Sequence, residues 1–290
     1  FVSVIVPVRN GEKIIGNLIS ALLSQDYPKS HTEIIIVDNG SQDKTCETVK
    51  KYPVILGRED KVIRSYAARN KGLFMARGEI IAFTDADCIP EQNWISEGVQ
   101  ALREENADMA GGRISFILSD NLSAAEFVDS MTFMHNERHV ENKGAITANL
   151  FVRSHLFGQI GFFPPVRSGG DIQWTGKAVQ TGFSLIFVPQ AIVRHPLRNF
   201  RELIKKFWRV GTGIGLGGAR HQRKEYMKIC YLMLRLSIPL PQKNIRNVLI
   251  GRRRKKEMIN KRLAIWLVSY IGQLSMRGGM LYSVFQISES

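Results

Sequence analysis

The stretch FTDADCIP, Phe83 to Pro90, emerges from an apolar run, EIIAF, and sets two carboxylates one residue apart, Asp85 and Asp87. Ionised Asp is rarely buried unless it is paired or binds a metal. On an extended segment, side chains two residues apart point the same way, so these charges repel. A cation relieves that repulsion, and so does solvation at a strand end. A lone D-x-D is common by chance, so its meaning depends on where the chain places it.

The surrounding pattern alternates strand and helix. VSVIVPV (2–8) reads as a buried strand and GEKIIGNLISALLSQ (11–25) as an amphipathic helix. TEIIIVDNGS (32–41) is a second apolar strand ending in turn residues, DKTCETVKKY (43–52) a short helix, and VILG (54–57) a third strand. SYAARNKGLFMARG (65–78) predicts a helix closed by its final glycine, and EIIAFTD (79–85) a fourth strand. Near-continuous apolar strands between helices predict an α/β fold with a mostly parallel, doubly wound sheet and helices on both faces. Ligands of such sheets sit outside the carboxyl ends of the strands, near a switch in strand order. Three polar signals fall at such ends: Arg9-Asn10, Asp38, and the Asp85/Asp87 pair. That coincidence raises the D-x-D above chance.

Length and charge frame the rest. A chain of 290 residues fits one large domain, or one domain with an appendage, and 44% hydrophobic residues exclude a disordered chain. Cys46, Cys88 and Cys230 form neither a disulfide framework nor a CxxC zinc cluster, which suits a reducing compartment. The opening FVSVIVPV has no basic segment or cleavage site of a secretion signal, and the Asn121-Leu122-Ser123 sequon is discounted in a chain expected in the cytoplasm. Residues 1–195 hold 20 Lys and Arg against 22 Asp and Glu, a net of −2; residues 196–290 hold the other 20 with 4 Glu, a net of +16. So basic a final third calls for an anionic surface, membrane or nucleic acid.

No G-x-G-x-x-G follows the first strand and no G-x-x-x-x-G-K-[ST] occurs, which argues against a dinucleotide and excludes a P-loop. Arg9, Arg64, Arg69 and Lys71 stand near the expected rim and can face phosphates, while Asp38 can accept from a base or ribose. A nucleotide held by carboxylate, arginine and a metal on its diphosphate fits these parts.

Taken together, VSVIVPVRNGE, IIIVDNGSQDKT, AARNKGLFMARGEIIAFTDADC and SGGDIQWTGKAVQTG resemble the inverting, nucleotide-sugar-dependent glycosyltransferases of family 2, with the GT-A fold. The likeness runs over roughly residues 2–195 in the family's order and spacing. It implies that Pro7, Arg9 and Asp38 flank the nucleoside, with Arg64 or Arg69 on the nucleotide. It places Asp85, with Ala86 beside it, near the ribose and metal, and Asp87 on a manganese or magnesium ion that holds the diphosphate. The donor is a nucleotide-diphosphate sugar, with uridine the family's commonest base.

In the second half, SGGDIQWTG puts Asp171 at a helix start with Trp174 three residues on, sharing its face. The plain reading is a helix-terminal acid and a core tryptophan. In the family, the acid at this place is the catalytic base. Its usual Glu-Asp pair is Gly170-Asp171 here, so one carboxylate remains to take the acceptor's proton, with Gly170 and Trp174 on the acceptor side. His195 ends the strand SLIFVPQAIVRH, either as a solvated strand end or, as in several relatives, a third metal ligand. His135 and His139 lack the H-E-x-x-H acid, and read as acceptor-pocket lining or surface; residues 123–145 are where acceptor contacts are expected.

Residues 199–226 start as a basic amphipathic helix and become Gly-rich (Gly211, Gly213, Gly215, Gly217, Gly218), read as a lid or a loop. KKFWRVG stands where processive relatives carry Q-x-x-R-W, which favours one sugar per acceptor. Two apolar arms, 229–240 and 263–276, flank GRRRKKEMINKR; each is shorter than the roughly 20 residues needed to span a bilayer. They suit an interfacial position on an anionic leaflet, with a buried bundle as the alternative. The expected division is 1–198 as the catalytic domain (1–115 for the nucleotide-sugar, 116–198 for the acceptor) and 199–290 as a basic helical extension. The expected place is the cytoplasmic face of a membrane, with a glycan or lipid-linked acceptor. Two rivals lack their features. A sugar-1-phosphate nucleotidyltransferase needs G-x-G-[ST]-R-L where PVRNGEK stands, and a nucleic-acid binder needs aromatics among its basic residues, so no nucleic acid is expected.

Overall fold

The computed structural model describes residues 1–213 and 261–286. They fall into two compact units. The first holds Phe1–Ile117, His135–Val166 and Gly170–Pro196; the second holds Leu118–Met134, Arg167–Gly169 and the described residues from 197 on.

The first unit is built on an eight-stranded sheet. Its strands are β1 (Val2–Val8), β2 (Thr32–Asp38), β3 (Ile55–Arg58), β4 (Ile80–Thr84), β5 (Ile89–Pro90), β6 (Met109–Ile117), β7 (Asn149–Arg153) and β8 (Leu185–Pro196). They lie in the order β3-β2-β1-β4-β7-β6-β8-β5. Helices α1 (Ile15–Leu23), α2 (Thr45–Val49), α3 (Ser65–Met75), α4 (Trp94–Glu104), α6 (Asn136–Glu141), α7 (Leu156–Ile160) and α8 (Gly170–Gln180) belong to the same unit, and α5 (Ala124–Met131) to the second. β1 runs parallel to β2 on one side and to β4 on the other, so the winding reverses beside β1. Val2, Val4, Ile5, Val6, Ile35, Ile36 and Val37 are sealed from solvent because both faces of these strands are covered, which is why their sequences do not alternate.

Beyond β4 the order departs from pure parallel winding. β7 pairs antiparallel with both β4 and β6, and β8 returns parallel to β6. The β6–β8 register slips from Gly112↔Val188 to Arg113↔Ile192, leaving Pro189, Gln190 and Ala191 bulged. Asn149 closes this irregularity: its Nδ2 donates to the carbonyls of Arg113 (2.8 Å) and Ala191 (2.9 Å), and its Oδ1 accepts from the Trp94 indole at 2.8 Å. Three sequence expectations are corrected here. The first helix occupies 15–23 rather than 11–25. α3 stops at Met75 rather than at Gly78. Gly78 is needed for another reason: a Cβ there would lie 2.5 Å from the Ser3 amide nitrogen, where the chain passes against β1. The third correction concerns the D-x-D: β4 ends at Thr84, and Asp85 to Cys88 form a tight turn with the Cys88 amide donating to the Asp85 carbonyl at 3.0 Å. The two carboxylates therefore do not share one strand face.

In the second unit, α5 begins with a reciprocal capping box between Ser123 and Glu126, and α9 (residues 200–213) and α10 (Arg262–Gln286) pack with it. Leu122, Phe127, Val128, Leu203, Phe207 and Ile265 form its apolar cluster. Asp129 is fully buried, accepting from the Arg198 amide at 3.0 Å with Lys206 Nζ 3.9 Å away. α10 continues past the arm expected at 263–276 because Gly279 is a packing residue, not a terminator; a Cβ there would lie 2.4 Å from the Trp208 carbonyl. The expected lid glycines 215, 217 and 218, the arm 229–240 and the basic run up to residue 260 lie outside the described residues. Among those described, no helix is long and apolar enough to cross a membrane.

Candidate active site

The strand ends of the first unit gather the expected donor-side residues. Asp38 closes β2, fully buried; its Oδ2 accepts from the Ser41 amide at 3.1 Å, while its Oδ1 has no hydrogen-bond partner. Burial, and then the Asp38 charge, push the neighbouring Cys46 thiol upward. Pro7 lies in β1 opposite Val37, and Arg9 is exposed just beyond the strand. The loop after β3 arches beside this pocket, because Asn39 Nδ2 donates to the carbonyls of Glu59 (2.8 Å) and Val62 (2.9 Å).

The two arginines differ. Arg64 is exposed at the N-cap of α3. Arg69 is buried within the helix, its Nη2 2.5 Å from Asp85 Oδ1, with its Nε unpartnered. The guanidinium lies over the Tyr66 ring, 5.4 Å from its centroid.

Ala86 carries the turn between the two acids and is half-buried. Asp87 faces another partner, His195, with Oδ2 to Nε2 at 3.5 Å. A two-residue strand makes that meeting. β5 starts two residues after Asp87 and pairs Ile89 with Arg194, the neighbour of His195, and Arg194 also bonds Glu91. His195 is buried, and its Nδ1 lies 2.5 Å from the Pro196 carbonyl. A carbonyl only accepts, so Nδ1 carries a proton in this contact, and whenever the ring is neutral Nε2 presents its lone pair. A lone pair and a carboxylate oxygen facing one another are a donor set that a cation completes, so these residues fit a divalent metal. Among the described residues, no group of three His, Cys, Asp or Glu side chains is placed to hold a metal by itself. Asp85, tied to Arg69, stands apart from that pair. The Cys88 thiol is driven well up by burial, then by Asp87 and Asp85, which marks how negative this turn is.

Asp171 opens α8 and is only 8% exposed. Its Oδ1 accepts from the Tyr66 hydroxyl (2.8 Å) and the Ile172 amide (3.0 Å); its Oδ2 accepts from the Thr147 amide (3.0 Å) and hydroxyl (3.2 Å). Gly170 packs against the Tyr66 ring: a Cβ at 170 would lie 2.9 Å from it. Trp174, expected on the acceptor side, lies in the core, stacked on Phe157 at 4.6 Å with its indole donating to the Gly161 carbonyl. Tyr66 and Thr147 were missed in the sequence. Tyr66 precedes Arg69 by three residues on a helix, a spacing that shares a face and is a usable signal. Thr147 gave none, since its place depends on β7 running antiparallel.

The sequence model of the family described as "Glycosyl transferase family 2" matches residues 3–157. Glycosyltransferase AglE of Haloferax volcanii is 42% identical over 220 residues, which are 73% of this chain and 72% of that protein. A Methanococcus voltae protein named dolichyl N-acetyl-alpha-D-glucosaminyl phosphate 3-beta-D-2,3-diacetamido-2,3-dideoxy-beta-D-glucuronosyltransferase is 26% identical over 251 residues, 80% of this chain and 77% of its own. Among solved structures, the Pyrobaculum calidifontis mannosyltransferase PcManGT, in complex with GDP-Man and Mn2+, superposes with TM-score 0.60 at 18% identity, covering 98% of this chain and 86% of that one. TarS residues 1–349 of S. aureus, in complex with UDP-GlcNAc, gives 0.56 at 17%, covering 99% and 91%. These two likenesses carry the GT-A fold; the family model and the 42% relative carry the rest. The chain belongs to glycosyl transferase family 2, as an inverting, nucleotide-sugar-dependent enzyme of the GT-A fold.

Proposed function

We propose that the enzyme moves a single hexose from a UDP-sugar to a hydroxyl of a glycan or lipid-linked acceptor at a membrane surface, with manganese or magnesium as cofactor. The observation that carries this reading is the facing of Asp87 and His195 at 3.5 Å, beside the Arg69–Asp85 pair and the unmet oxygen of Asp38. Asp87 and His195 would hold the cation, which supplies positive charge to the leaving diphosphate. Asp38 Oδ1 takes an N–H of the base, and Pro7 and Arg9 flank the nucleoside. Asp85 and Arg69 meet the ribose and the diphosphate, with Arg64 at the rim. Asp171 takes the proton of the acceptor hydroxyl as its oxygen bonds to the anomeric carbon; the bonding pair leaves with the nucleoside diphosphate, and configuration inverts.

The acceptor reading rests on the second unit and on a relative. α10 exposes Leu263 (71%), Trp266, Leu267, Ile271 and Tyr282, with Trp266 stacked on Tyr270, in a region of net charge +16. Apolar and aromatic side chains beside many cations suit an anionic bilayer surface at the cytoplasmic face. The Methanococcus relative is named for a dolichyl phosphate-linked acceptor. Two experiments test the proposal. Diphosphate release from UDP-, GDP- and dTDP-sugars, with and without manganese, is expected to favour UDP and to need the metal. Cosedimentation with phosphatidylglycerol vesicles is expected to exceed that with neutral ones, and Gln at residues 252–256 to remove most of the difference. Equal binding to both vesicles overturns the membrane assignment.

A further inference from the structure

The family's usual Glu-Asp pair is Gly170-Asp171 here, and the structure shows what stands where the missing side chain would begin. The Tyr66 ring and the Val166 side chain each lie 2.9 Å from the position of a Cβ on Gly170, so no carboxylate side chain fits there without moving one of them. The Tyr66 hydroxyl donates to Asp171 Oδ1 at 2.8 Å, and its ring face carries the Arg69 guanidinium that binds Asp85. Tyr66 is 5% exposed and its ring is also fixed against Phe163, 5.8 Å away. One rigid ring therefore touches the acceptor-side acid with its polar tip and the donor-side ion pair with its face.

We propose that Tyr66 is the positioning residue of this active site: it orients the Asp171 carboxylate and ties it to the Arg69–Asp85 pair. The inference rests on the reading of Asp171 as the base. Four donors reach the Asp171 carboxylate, the Tyr66 and Thr147 hydroxyls and the amides of Thr147 and Ile172, and the rotatable Thr147 hydroxyl, the longest of the four at 3.2 Å, is the one that yields when Asp171 takes a proton. The Thr147 amide sits in the turn before β7 and the Ile172 amide in α8, and of the two side-chain donors Tyr66 makes the shorter bond, from a ring that packing holds in place. Burial, and then the Asp171 charge, drive the Tyr66 phenol far above its ordinary range, so it stays a donor throughout the working pH range. The charged groups facing Asp171 through this ring are Arg69 and, beyond it, Asp85.

The test compares Tyr66→Phe, Gly170→Ala and Asp171→Asn in the full chain, with donor affinity and the pH profile of kcat measured for each. Tyr66→Phe is expected to lower kcat by about 10–100-fold with donor Kd changed less than about threefold, since the group acts on the acid and not on the nucleotide. Its acid limb should move to higher pH, because a carboxylate that loses a donor to its charged form takes up a proton more readily. Gly170→Ala keeps the phenol but crowds the ring, and should move the limb the same way. A Tyr66→Phe enzyme with unchanged kcat, or with reduced kcat and an unmoved acid limb, overturns the positioning role. If Tyr66→Phe fails to bind donor, the limb of Gly170→Ala decides, and an unmoved limb there overturns it equally. Asp171→Asn separates this from the underlying reading: retained turnover removes the base itself, whereas a dead Asp171→Asn beside an unmoved Tyr66→Phe limb removes only Tyr66.

Discussion

β2 carries an acid at each end, and the two are treated differently. Glu33, at its start, has every oxygen met by the protein. Its Oε1 accepts from Ser3 Oγ (2.6 Å) and the Arg77 amide (2.7 Å), and its Oε2 from Arg77 Nε at 3.0 Å. Asp38, at the other end, is sealed from solvent yet keeps Oδ1 without a partner. Both are carboxylates on the same strand of the same sheet, so propensity and hydrophobicity do not explain the contrast. A buried oxygen left unmet costs about 1–3 kcal/mol, and a fold tolerates that where a ligand completes the set. One end of the strand closes on itself; at the other, the proposed function has the nucleotide base complete the set.

The strongest way to break this comparison is at the Asp87–His195 pair. Asp87→Asn keeps the size of the side chain and removes the charge that would offset a cation. Turnover is expected to fall by about 10⁴-fold, the several kcal/mol that a metal supplies to a leaving group, with the thermal midpoint within a few degrees of wild type. Retention of more than about a tenth of wild-type turnover places the metal elsewhere. Asp171→Asn should lose about 10²–10³-fold while donor affinity holds, because under the proposed function this acid takes the acceptor's proton and does not touch the nucleotide.

A smaller effect is expected at Asp38. Asp38→Asn removes an acceptor from the base and should raise donor Kd by about tenfold, more than it lowers turnover at saturating donor. Stability should not fall, since a buried charge with an unmet oxygen is lost. A destabilised variant with unaltered donor affinity would put Asp38 with Glu33, as a structural acid, and the contrast between the strand ends would collapse.

How much of this was legible follows from which links are local. β1 to β4 and α3 were readable because apolar runs and helical spacing are properties of neighbours; Asp38 and Asp85 fall where two of those runs stop, and Asp171 where a later helix starts. The course of β7, β6 and β8 was not, because antiparallel pairing and a three-residue bulge are settled by distant partners such as Asn149. That is why the residues alone showed His195 only as a strand end, while its meeting with Asp87, which needs the two-residue pairing of Ile89 with Arg194, came only from the family resemblance. The D-x-D was read as one strand face; the turn at Asp85 to Cys88 instead sends each acid to its own partner. Arg64 and Arg69 look alike in sequence, and only their helix positions separate a solvated cation from a buried one.

The smallest effect sits at the closed end and sharpens the comparison from that side. Burial alone would push Glu33 upward, but the hydrogen bonds of Ser3 and Arg77 and the Arg77 charge outweigh it and hold the carboxyl below its ordinary value. A depressed carboxyl contributes stability above its unfolded value, near pH 4.3, and loses it as pH falls through the lower folded value. Arg77 is largely exposed, so solvent screens its part and the hydrogen bonds to Ser3 and to the Arg77 amide carry most of the effect. Glu33→Gln should therefore destabilise the first unit by about 1–2 kcal/mol at pH 7, with kcat and donor affinity unchanged. Because Gln does not titrate, the gap between wild type and variant should narrow as unfolding is measured from pH 5 down to pH 3. A constant gap would assign the loss to packing around Ser3 rather than to charge. A loss of donor affinity would show that the two ends of β2 are coupled.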